Sequence, residues 1–183
     1  MRRWGLLLVT TLLLTACQRD TCRIRGEAKG WKDGTLLYLS VNPDNGHPFD
    51  SIRVDGGRFD YLLTTDSIRL CLLYPSTKSP SEGVYFFTEP GNIYIELLPK
   101  IAASRVSGTV INNEWQALNN DVAHCDRRLR RIMREAKDSI NVRRLHADIN
   151  RLYEDINKNI SETAMRNRDN ALGQFINSHY RKE

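Results

Sequence analysis

The sequence contains no Cys-x-x-Cys, and from Glu114 to Leu172 it has neither glycine nor proline. The first absence removes the neighbouring dithiol of thioredoxin-like redox chemistry and the ligand spacing of a structural zinc site. The histidines His47, His124, His146 and His179 show no metal-ligand spacing either. No glycine-rich loop could cradle a phosphate. No metal and no cofactor is therefore expected. Long hydrophobic runs are also missing: Trp4–Leu14, broken by Gly5, Thr10 and Thr11, is far short of the roughly 20 residues that span a bilayer. Charge of one sign is scarce. The net charge of +5 includes Arg2 and Arg3, residues 17–111 hold 11 basic and 11 acidic side chains, and residues 112–183 hold 14 and 11. So mild an excess gives no argument for nucleic acid.

What is present begins with a leader. Arg2 and Arg3, a short apolar core and the small residue Ala16 read as an export signal. Leu14-Thr15-Ala16-Cys17 resembles the bacterial lipobox, in which cleavage falls just before the cysteine. The expectation is a lipoprotein signal peptide at 1–16, a lipid-bearing Cys17 as first residue of the processed chain, and an anchor linker at 17–21. Several acyl chains on one residue would hold the protein on a membrane, whereas one chain anchors only marginally. The alternative is an ordinary secretory signal with Cys17 unmodified. The expected location is the bacterial cell envelope, at the outer membrane, facing the periplasm or the surface. That compartment permits disulfides, so Cys22 with Cys71 is a candidate pair, and one of Cys22, Cys71 and Cys125 must stay unpaired.

The processed chain has two textures. From Cys22 to about Val110 short alternating stretches are separated by turn residues. Strands are expected at 22–29, 35–41, 49–54, 58–63, 68–74, 84–88, 93–98 and 105–110. Asp55-Gly56-Gly57 supplies the positive-φ residues of a tight hairpin, and Glu89-Pro90-Gly91-Asn92 reads as a second turn. Phe59, Tyr61 and Leu63 would share one face of their strand. After Asn112 the period changes: Trp115, Leu118, Val122, Cys125, Leu129, Ile132 and Ala136 step by three and four, as do Val142, Leu145, Ile149, Leu152 and Ile156. Two antiparallel helices joined near 137–141 are expected, with a short third helix at 171–180 burying Leu172, Phe175 and Ile176. The fold class is α+β: an antiparallel β-sandwich or barrel-like domain of seven to eight strands at 22–111, then a helical segment at 112–183.

Candidate site residues are few. His47, Asp50 and Ser51 have the residue types of a hydrolase triad, but a triad is defined by geometry, and Asp50 and Ser51 would point to opposite faces of one strand. A turn-to-strand junction, with Asp50 or Ser51 bonded to nearby backbone, is the competing reading. Arg127, Arg128, Arg130, Arg131 and Arg134 form the densest basic run; they are either a solvated helix face or a contact for an acidic partner or lipid headgroups. Cys125 lies on the apolar stripe as a small core residue, and His124 off it as an exposed one. Trp115, Tyr153 and Phe175 read as helix-to-sheet packing. Loops 42–48 and 75–83, with Tyr74 and Tyr85, would have to form the site if the module bound a small ligand or glycan.

Scattered segments then fall into one pattern: Ile24-Arg25-Gly26; Asp33-Gly34-Thr35-Leu36-Leu37-Tyr38-Leu39; Phe49-Asp50-Ser51-Ile52-Arg53-Val54 with Asp55-Gly56-Gly57-Arg58-Phe59; Glu89-Pro90-Gly91-Asn92-Ile93; and Val106-Ser107-Gly108-Thr109 before Asn112-Asn113. In this order behind a lipobox, residues 22–113 resemble the domain of unknown function found at the N-terminus of many envelope lipoproteins. In those proteins a helical segment and a thioredoxin-like domain of the thiol-disulfide oxidoreductase and peroxiredoxin-like superfamily follow. The resemblance implies a β-rich fold and an envelope location. Its catalytic dithiol has no counterpart here, and Glu183 falls about where the thioredoxin-like domain would begin. The expectation is a non-enzymatic, lipid-anchored interaction or scaffold module, accessory to a separate thioredoxin-like or other envelope partner. The alternatives are the ligand module above and the truncated front part of an oxidoreductase.

Overall fold

A computed structural model describes residues 21–41, 48–75, 82–136 and 142–180. Eight strands make two four-stranded sheets. The first has the order β4 (Arg58–Thr64), β1 (Thr21–Glu27), β7 (Gly91–Glu96), β8 (Arg105–Ser107). The second has the order β3 (Asp50–Arg53), β2 (Leu36–Ser40), β5 (Leu70–Tyr74), β6 (Val84–Phe87). The helices α1 (Val110–Glu135), α2 (Val142–Arg166) and α3 (Ala171–Tyr180) follow. The architecture is α+β, and the two sheets stay separate, so it is not a closed barrel.

Alternation drives the strands. In β1, Cys22, Ile24 and Gly26 are buried while Thr21, Arg23 and Arg25 are exposed, as a sheet with one wet face requires. β5 differs: Cys71 to Tyr74 are buried without a break, because this inner strand is covered on both faces. Ile24, Leu37, Leu39, Val54, Phe59, Leu73, Phe86, Ile93 and Ile95 belong to one core, which Ile160, Ala164, Leu172 and Ile176 of the helices join.

Two corrections concern pairing. The Asp55-Gly56-Gly57-Arg58 turn forms: Asp55 and Arg58 exchange both backbone hydrogen bonds at 2.9 Å, with Gly56 and Gly57 at φ 54° and 70°. Yet β3 pairs with β2 and β4 with β1, so this turn passes the chain from one sheet to the other. The Glu89–Asn92 turn does the same between β6 and β7. Because β7 enters its sheet from across the sandwich, no hairpin dictates its direction. It runs parallel to β1, with Ile24 opposite Ile93; the other pairs are antiparallel.

The helices α1 and α2 lie antiparallel, since Asn159 reaches Asp121 while Asn167 reaches Glu114. A helix of 26 residues is about 39 Å long. Its buried residues, Ile111, Asn112, Trp115, Leu118 and Cys125, end before its last ten residues, which contribute nothing to the core. The expected joint at 137–141 lies outside the described residues.

Candidate functional site

The edge strands β6 and β8 border the open side of the sandwich, and α1 closes it. Each edge presents backbone groups with no strand to pair with. Asn112, fully buried, accepts from the Phe87 N–H through Oδ1 and donates to the Phe87 carbonyl through Nδ2, both at 2.8 Å. Its amide thus occupies the place of a missing neighbouring strand. One turn on, the Trp115 indole N–H donates to the Tyr85 carbonyl at 2.9 Å. On the other edge, Gln116 Oε1 accepts from the Val106 N–H at 2.7 Å, and Asn113 Oδ1 from the Gly108 N–H at 3.0 Å.

The start of α1 is held from outside the helix. The Glu89 carboxylate, on the inter-sheet turn, accepts from the Ile111 N–H at 2.9 Å, placing a negative charge at the positive end of the helix dipole. Gly108 has φ 105° and lies so close to the Asn92 carbonyl that a Cβ would collide with it. The backbone therefore leaves β8 at Ser107, earlier than the expected 110, and α1 begins at Val110. Phe87, Trp115 and Phe175 finish the seam edge to face: Trp115 and Phe175 have centroids 5.4 Å apart at 87°. Tyr153, expected to join them, is 48% exposed on α2.

Adjoining this seal, from Trp115 and Gln116 along α1, a groove of about 680 Å³ opens. One wall is the end of β6 with the segment from Lys100 to Val106; the other is α1, including Asn119, Asp126, Arg127 and Arg130. The five arginines of the basic run are all exposed, but they do not share a surface. Arg127 and Arg130 line the groove, and Arg130 pairs with Asp126 at 3.4 Å. Arg128 and Arg131 line a small hollow against Asp148 and Arg151 of α2. Arg134 lies in the distal half of α1 and lines neither.

Asp50 accepts from the Ser51 N–H at 2.7 Å and from the Tyr61 hydroxyl at 2.6 Å. The Tyr61 bond, then the Ser51 one, holds its carboxyl below the ordinary value. Burial, then Asp50, pushes the Tyr61 phenol up to about 12. His47 and Cys17 lie outside the described residues. Cys22 and Cys71 are free thiols inside the core, with no bond between them; burial pushes them up to about 11 and about 12. Cys125 is a free, buried thiol on the α1 stripe, and His124 beside it is exposed. Of the two candidate ligand loops, 42–47 and 76–81 lie outside the described residues. Tyr74 is fully buried, with its ring 5.8 Å from that of Tyr38, and so is no exposed platform for a sugar. Among the described residues, no group of three or more His, Cys, Asp or Glu could hold a metal ion. No described helix is long and apolar enough to cross a membrane.

From sequence Gln116 has no assigned role, and Asn112 enters only through the family likeness; an amide three positions before Trp115, on the stripe where a core residue belongs, is the signal that could have marked Asn112.

Fold and site together define an α+β module: a two-sheet β domain whose open side is sealed by the first half of a long helix. The chain belongs to the family described as Domain of unknown function (DUF4369), whose model matches residues 22–115. The match runs past the last strand and through Trp115, which fits the first turns of α1 completing the sandwich. No curated protein and no solved structure matches the sequence.

Proposed function

We propose that this chain is a lipid-anchored protein of the bacterial envelope. It acts without catalysis, as an interaction or scaffold module accessory to a separate thioredoxin-like partner. One observation carries the non-catalytic reading. Of the residues that bear the family likeness, Glu89 and Asn113 are bonded to backbone N–H groups and Asn112 to a backbone N–H and carbonyl, so their side chains serve the joint between α1 and the sandwich. The thiols support it too. Cys22 and Cys71, held as neutral thiols by burial, are poor nucleophiles at neutral pH, because thiolate is the reactive form. The anchor rests on the lipobox-like Leu14–Cys17.

The test is made in cells and in solution. Metabolic labelling with an alkyne fatty acid should mark the wild-type chain and leave Cys17→Ser unmarked, with only the former in the membrane fraction. Purified full-length chain should fail to turn over insulin disulfides with dithiothreitol. Labelling that survives Cys17→Ser would remove the anchor, and catalytic disulfide reduction would remove the non-enzymatic reading.

A further inference from the structure

The groove beside α1 is asymmetric in charge. The side chains of Lys100 and Arg105 on the sheet wall and Arg127 on the helix wall make no hydrogen bond or ion pair with any described residue. Asp126, the carboxylate that lines the groove, is already paired with Arg130. Cations facing one another across a concavity focus the field within it. We propose that this groove binds a carboxylate-rich segment of a partner protein. The proposal deepens the interaction-module reading and rests on it.

Three features select that occupant. Guanidinium groups match carboxylates with two parallel hydrogen bonds, and Asn119 adds an amide to the same wall. The cations come from two separate elements across an open trough, which suits an extended chain better than a compact phosphate. Ile101 and Val122 give the trough apolar surface for the segment's side-chain methylenes.

Position argues against a bilayer. β1 begins beside the start of α1: Cys22 is opposite Gly91, two residues beyond the Glu89 that holds Ile111. From there α1 runs antiparallel to β6, touching Phe87 with Asn112 and then Tyr85 with Trp115, where the groove begins. The groove and the arginines thus lie toward the end of the fold opposite Thr21, where the chain enters from Cys17. A membrane held at Cys17 would face the other end, and a planar surface does not enter a trough.

The experiment uses the full chain in detergent micelles and a fluorescein-labelled polyglutamate peptide, read by anisotropy. Binding should saturate and weaken with salt. Arg105→Glu with Arg127→Glu should reduce affinity about tenfold or more. Arg128→Glu with Arg131→Glu, on the α2 side, should leave it unchanged. Melting temperatures verify folding, and Arg105→Gln with Arg127→Gln replaces the reversal if that variant does not fold. Equal weakening by both pairs, no binding of the peptide, or groove-dependent binding to phosphatidylglycerol vesicles instead would each overturn the proposal. None of these outcomes alters fatty-acid labelling at Cys17, so groove and anchor can fail separately.

Discussion

Asn112→Ala is the most direct test of how the helix is joined to the sandwich. The side chain is fully buried and makes three hydrogen bonds at 2.8 Å: two with the Phe87 backbone and one donated to Thr109 Oγ1. Alanine would leave the Phe87 N–H unpaired in a site that water does not reach, while the Phe87 carbonyl keeps the bond it accepts from the Glu89 N–H at 2.8 Å. A buried group left unsatisfied costs about 1–3 kcal/mol, and the variant should lose about that much. Against a typical stability of about 5–15 kcal/mol this is large but survivable. The melting temperature of a chain this size should fall by roughly 2–10 °C. Urea unfolding should show a lower midpoint with an unchanged slope, and the Phe87 amide should exchange faster than its β5-paired neighbour Phe86. N112D sharpens the test. A carboxylate still accepts from the Phe87 N–H but has no proton for the Phe87 carbonyl. Its deficit should be greatest at neutral pH and shrink as the pH falls and the acid gains a proton to donate. A loss below about 1 kcal/mol for Asn112→Ala would refute the argument, since the edge of β6 would then be satisfied without the amide.

Glu89→Gln keeps an acceptor near the Ile111 N–H but removes the charge at the helix start; it should cost about 0.5–1 kcal/mol, less at high salt, in urea titrations at two ionic strengths. With dithionitrobenzoate, Cys22 and Cys71 should stay unreactive in the folded protein, react only as urea unfolds it, and follow Cys125, which lies farther from the core. Fast labelling of Cys22 in native buffer would contradict its burial. Tyr61→Phe removes the main bond that depresses the Asp50 carboxyl, so its NMR-detected titration should move up toward the ordinary value. Asp50's contribution to stability is present above the unfolded carboxylate pKa and lost as pH falls through the folded value, so the variant should lose less stability on acidification.

The strands were legible because each has a local cause. Alternation marked β1 and β4, and Asp55-Gly56-Gly57 formed the turn its backbone chemistry demands. Which strands would pair was not legible. A two-residue turn ordinarily folds a strand back on its neighbour, but here Val54 is tied to Gly34 and Thr35 just before β2 while Gly57 accepts from Ala28 just after β1. Those partners are distant in sequence, and no local pattern names them. The helices were legible from their stripes, and α3 appeared at its expected bounds. The arginine run was visible as a cluster, whereas its division between two surfaces follows from where β8 and α2 pack. Asn112 and Asn113 were visible only as part of a family likeness; their work depends on edges that exist only after both sheets have formed.

The order of synthesis gives the seal of α1 a consequence for folding. All eight strands precede the helix in the chain, so both sheets can assemble before Val110–Gln116 is available to cover their edges. In that interval the outward backbone groups of Tyr85, Phe87 and Val106 are open templates for strands of other molecules. Delay in docking α1, or a change that weakens Asn112 or Trp115, would lengthen the interval without altering the sheets. The aggregation tendency of this protein should therefore follow the docking rate of the first two turns of α1 more closely than the stability of its β core.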